Sequence, residues 1–92
     1  MTPQVCSLIS EAKSWLSSQP APEENSEAWF ALGNFRAFIS AIEVDPSLDG
    51  IDRAVWVLRH RLTDQYDWSI THCQVFSSFC ERAKSIASSE RA

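Results

Sequence analysis

The sequence predicts an all-α fold: a compact four-helix domain, arranged as an antiparallel bundle around a central second helix. Apolar residues recur at spacings of three and four along four separate segments, the mark of helices with one buried face. Strand-like alternation is not sustained anywhere, and only two glycines, Gly33 and Gly50, punctuate the chain. Ninety-two residues leave too little apolar area for a second core, so residues 1–92 read as a single helical domain with helices at about 3–17, 24–44, 50–63 and 69–88.

The first helix opens with Thr2 as its cap and Pro3 at the first helical position, where a missing N–H costs nothing. Val5, Leu8, Ile9, Ala12, Trp15 and Leu16 form its apolar stripe, opposite Ser7, Ser10, Glu11 and Ser14. Gln19-Pro20-Ala21-Pro22 breaks the chain. The second helix begins between Glu23 and Ser26, with acidic residues that suit its N-terminal dipole. Apolar residues from Ala28 to Ile42 occupy nearly its whole circumference and leave only Gly33, Arg36, Ser40 and Glu43 as a narrow polar stripe. Such a helix is expected to be covered on most sides.

Asp45-Pro46 stops the second helix, because a residue before proline avoids helical dihedrals. Asp49 is the expected cap of the third, which buries Ile51, Ala54, Val55, Leu58 and Leu62. The fourth buries Cys73, Phe76, Phe79, Cys80, Ala83 and Ile86 or Ala87, and its end from Ser88 onward is expected to fray.

Composition narrows the function. Ten aromatics, four of them tryptophan, give a small domain dense core material. Three cysteines make no even disulfide framework, the N-terminus has no signal-peptide pattern, and no apolar run reaches bilayer length. The expectation is therefore a cytoplasmic protein with no membrane partner. A net charge of −4 disfavours nucleic acid, although Arg53, Arg59, Arg61, Arg82 and Lys84 would be the residues of a nucleic-acid-associated regulatory domain.

The constellations that could carry chemistry fail at named places. Asp45, Ser47, Asp49 and Gly50 resemble the start of a calcium loop, but the twelfth position, which needs a bidentate carboxylate, is Trp56. No C-x-x-C or H-x-x-x-H pair supports zinc, and His72 and Cys73, adjacent on a helix, diverge by about 100°. No catalytic residue, metal site or cofactor is expected, and the chain reads as a non-enzyme.

From Glu23 to Asp52 seven acids face one base, Arg36. Dipole-matched helix starts explain the acids individually, and a surface mimicking nucleic acid is the competing reading. Recognition remains: a small acidic protein that works by protein–protein interaction as an inhibitor, adaptor or neutraliser of a partner protein, or by pairing with itself as a homodimer. Its expected partner-binding residues are Arg53, Trp56 and His60, which share a face of the third helix, and Tyr66 and Trp68 in the last connection. Each has a structural alternative: the first three could edge a helix–helix contact, and the last two could plug one end of the bundle. A small-ligand or enzyme pocket around Trp29, Phe35 and Cys80 is the remaining class.

Overall fold

A computed structural model describes residues 2–64 and 68–91 and contains four helices in the expected order. They are α1 (Pro3–Ser18), α2 (Glu27–Val44), α3 (Leu48–Asp64) and α4 (Ile70–Arg91), with no strand among the described residues. The fold is an all-α four-helix domain. Helix α1 packs on α2 and α4, and α3 packs on the same two, so the helices form a ring. The last residue of α4, Arg91, meets the first turn of α3 at Asp49 and Asp52, a placement consistent with antiparallel neighbours.

Local capping sets where each helix begins. Thr2 Oγ1 accepts the Val5 N–H at 3.3 Å, with Pro3 following at the first helical position. Helix α2 starts at Glu27, later than its acidic leader predicts, because Ser26 is the residue whose side chain reaches back to cap it. Ser26 Oγ accepts the Trp29 N–H at 3.2 Å. The Ser26 N–H bonds Glu23 O at 3.1 Å across a turn in which Asn25 takes φ 67°, a left-handed conformation that asparagine tolerates better than most residues. This turn keeps the leading acids out of the helix.

The corner between α2 and α3 corrects the sequence reading. The cap of α3 is Ser47, not Asp49: Ser47 Oγ accepts the Gly50 N–H at 3.1 Å, and the helix begins at Leu48. Ser47 is held for that task by Asp45, whose Oδ1 accepts both the Ser47 N–H (3.2 Å) and the Ser47 hydroxyl (2.6 Å). Asp49 lies inside the first turn instead, where its charge suits the dipole. At the other end of the chain, α4 continues to Arg91 where fraying was expected. Ala87 is buried, and Arg91 Nη2 pairs with Asp52 at 2.6 Å and Asp49 at 3.5 Å, which tethers the final turn.

The core is built around stacked phenylalanines. Phe35 of α2 and Phe76 of α4, both fully buried, lie 4.7 Å apart and nearly parallel. Phe38 and Phe79 flank Phe35, and Trp15 from α1 sets its edge against both Phe35 and Phe76. Val5, Leu8, Ile9 and Ala12 of α1 and Ile51, Ala54, Val55 and Leu58 of α3 complete it, matching the predicted stripes. Trp15, Leu16, Leu62, Cys73 and Ile86 pack at its margin, only partly covered.

Helix α2 supplies the most buried residues, six in all, and its neighbours cover it on three sides. With α1 and α3 beside it and α4 meeting it through the phenylalanines, its fourth side stays open. Phe30 (49% exposed) and Val44 (86%) lie on that side with Ala37 and Ala41, also exposed. The central helix predicted from an apolar circumference is thus central in the core and uncovered outside it.

Candidate docking groove

The open side of α2 borders α3, and between them lies a cavity of about 270 Å³ that is open to solvent. Phe38, Ala54 and Leu58 form its floor, Ala37 and Ala41 one wall and Val57 the other, with Asn34, Asp45, Gly50 and Arg53 at its margins. A water molecule's share of liquid volume is ~30 Å³, so the space fits side chains. It runs along α2 from Asn34 to Asp45, eleven residues, or ~16 Å at the helical rise.

Two sequence features build this groove. Ala37 and Ala41, four residues apart, keep the α2 wall of the groove low. At the far end Gly50 lets the chain close the corner. A Cβ at Gly50 would stand 2.1 Å from the Asp45 backbone oxygen and 2.5 Å from its Cγ. The φ of Gly50 is not positive, so glycine is required here for proximity rather than for dihedral freedom. Asp45, at the same corner, has its carboxyl held below the ordinary aspartate range, first by the Ser47 hydroxyl and then by the Ser47 N–H.

The expected partner-binding residues separate. Trp56 is 65% exposed on the face of α3 that points away from the core, and its ring stacks on His60 at 5.1 Å with 8° between planes. Arg53 lies on the same outward face and reaches the groove margin. These three therefore stand together at the surface, next to Val57, which is 45% exposed. Trp68 does not join them. It is only 6% exposed, its edge set against Phe76 at 5.7 Å, so it takes the alternative role of plug. Tyr66 lies outside the described residues.

Sequence reasoning missed the groove itself: Asn34, Ala37, Ala41, Gly50 and Val57 were not singled out as surface. The available signal was the apolar circumference of α2 together with its four-residue spacing of small side chains.

Nine of the charged side chains form ion pairs within the fold among the described residues. Lys13 pairs with Glu43 at 2.7 Å, and Arg59 with Glu81 and Arg82 with Glu11 as direct contacts. With Asp49 and Asp52 on Arg91, three of the seven acids between Glu23 and Asp52 are neutralised locally and a fourth, Asp45, is engaged in the corner. That dismantles a continuous acidic surface. It also removes Arg59 and Arg82 from any free basic patch. Arg53 and Arg61 contact no carboxylate at ion-pair distance among the described residues, although Arg53 lies within the field of Asp45.

Cys80 and His72 are packed into the fold. Burial pushes the Cys80 thiol up to about 11, against the opposing field of Arg59, so it stays protonated at neutral pH. The His72 ring stacks on Phe76 and meets the edge of Trp15, both at 5.9 Å. Trp29, Phe35 and Cys80 do not share a pocket: Phe35 and Cys80 are fully enclosed, while Trp29 sits at the surface against Phe30. No group of three or more His, Cys, Asp or Glu side chains among the described residues is placed to hold a metal ion. No described helix is long and apolar enough to cross a membrane. Comparison with known protein families, curated proteins and solved structures finds no match to this chain.

Proposed function

We propose that this chain is a small non-enzymatic binding protein that seats a partner protein in the α2–α3 groove, with Trp56 and Arg53 gripping from the adjoining face of α3. The observation that carries the reading is the uncovered apolar side of α2. A helix apolar around its circumference is ordinarily enclosed. Here Phe30, Ala37, Ala41 and Val44 remain open beside a concave apolar space. Exposed apolar surface beside a groove, edged by polar groups, is the usual form of a protein-binding site.

Residue types support the same reading. Tryptophan and arginine dominate the energetics of protein interfaces; Arg53 lines this groove, and exposed Trp56 precedes Val57 of its wall. An inhibitor, adaptor or neutraliser of its partner would each use such a surface. The nucleic-acid alternative loses support because Arg59 and Arg82 are spent on Glu81 and Glu11.

The test compares capture from the native host by the wild type, Trp56→Ala, Ala37→Glu and the remote control Lys84→Glu, with retained proteins identified by mass spectrometry. A buried interface anchor contributes at least ~2 kcal/mol, about 30-fold in affinity. The expected result is one protein held by the wild type and the control and lost by both groove-side variants. An identical retained set across all four proteins refutes the groove as the functional surface.

A further inference from the structure

We infer that the occupant of this groove is an amphipathic helix of about three turns with an acidic edge, contributed by a protein other than this one. The inference rests on the docking reading above and adds the chemistry of the partner. Arg53 and Val57 line the groove, and Arg61, exposed and four residues beyond Val57, continues the same edge of α3 past its end. Among the described residues, Lys13, Arg59, Arg82 and Arg91 pair with carboxylates, and of the four other lysines and arginines two stand on this single edge. They lie eight residues apart, ~12 Å along the helix, with an apolar residue between them. A ligand that fills the groove with apolar side chains and places carboxylates about two turns apart satisfies floor and rim together.

The groove's dimensions select a helix. Its ~16 Å length matches about three helical turns, and the low walls at Ala37 and Ala41 admit a close-packed cylinder. A second copy of this chain fits less well. The apolar α2 stripe that it could insert carries no acid between Glu27 and Glu43, the latter already paired with Lys13. A pair of copies joined through that stripe would bring no carboxylate to Arg61, on a chain whose net charge of −4 already opposes self-association.

The probe is a display library of three-turn stapled helical peptides with leucine on the groove face and Glu, Gln or Lys at two edge positions two turns apart. It is sorted on the wild type, on the double variant Arg53→Glu/Arg61→Glu, and on the groove-blocked variants Ala41→Glu and Ala37→Glu. Both blocked positions are exposed, and two variants guard against one failing to fold. Two exposed ion pairs gained with Glu and two repulsions met with Lys should make Glu-edged peptides exceed Lys-edged ones by about tenfold on the wild type. That preference should shrink with added salt and invert on the double variant. Binding indifferent to the edge residue overturns the acidic-helix inference and leaves the groove as a docking site. Peptides that bind the blocked variants as well as the wild type, or none that bind at all, overturn the docking reading too. A dimer in sedimentation equilibrium that Ala41→Glu dissolves assigns the groove to a second copy and overturns the inference.

Discussion

The two glycines of this chain should respond in opposite directions to the same substitution. Gly33 and Gly50 are both helical, so helix propensity alone predicts that alanine stabilises each by up to ~1 kcal/mol, partly through the lost freedom of the unfolded chain. At Gly33 a new methyl group meets nothing within 4 Å, so that gain should appear undiminished. At Gly50 the methyl carbon would lie 2.1 Å from the Asp45 carbonyl oxygen, more than 1 Å inside ordinary contact. The obstacle is backbone, and it is fixed from three directions. The Asp45 N–H bonds Ala41 O at 3.0 Å, its carboxylate holds Ser47, and Pro46 restricts the dihedrals of Asp45 itself. Relief requires moving the start of α3 away from α2. Overpacking of this kind costs ~1–3 kcal/mol, and a backbone obstacle this close calls for the upper part of that range, so the net loss against a propensity gain of ~1 kcal/mol is up to about 2 kcal/mol. For a domain of this size each kcal/mol moves Tm by ~4–8 °C. Thermal unfolding followed by far-UV circular dichroism should therefore give Gly33→Ala a higher Tm than the wild type and Gly50→Ala a lower one. A Gly50→Ala protein as stable as Gly33→Ala would refute the close approach at the corner, and with it the shape of the groove's far end.

Three other outcomes are expected. Phe35→Ala, which empties the centre of the aromatic stack, should cost ~3–5 kcal/mol in urea unfolding, a large share of the 5–15 kcal/mol typical of a domain. Trp56→Ala should leave the unfolding midpoint within ~0.5 kcal/mol of the wild type, because a side chain 65% exposed contributes little to the core. Asp45 has a folded pKa below its unfolded value, so its contribution is complete above the unfolded aspartate value of ~3.9 and is lost as pH falls through the lower folded value. Asp45→Asn keeps an acceptor for Ser47 but cannot titrate. An acid titration of stability should fall less steeply below pH ~4 for the variant than for the wild type; superimposable acid limbs would count against the corner as the source.

The helices were legible in the sequence because their signals are local. Thr2 and Ser26 are caps whose targets lie three residues on, and the stripes of α1, α3 and α4 need only the helical period to be read. The corner was misread for a related reason. Ser47 and Asp49 are equally good caps in isolation, and the choice between them falls to Asp45, which fixes the Ser47 hydroxyl from outside the helix. The open side of α2 could not be read from its own residues. An apolar circumference states what a helix can bury, whereas the number of neighbours is set by packing among helices far apart in the chain. The same holds for Trp68 and Trp56. Both are tryptophans near polar residues, and only the position of Phe76 draws one of them inside.

That division has a practical consequence for optical measurements on this protein. Trp68 is nearly sealed from solvent and Trp15 is partly covered by Phe35 and Phe76, while Trp29 and Trp56 are 39% and 65% exposed. A dissolved quencher such as iodide should dim the emission of the exposed pair in the native state and reach Trp68 only on unfolding. With Trp29 replaced by phenylalanine, the quenchable native emission comes mainly from Trp56, beside the groove, and the shielded emission from the core. One cuvette then reports occupancy and integrity as separate signals, without a label attached anywhere on the chain.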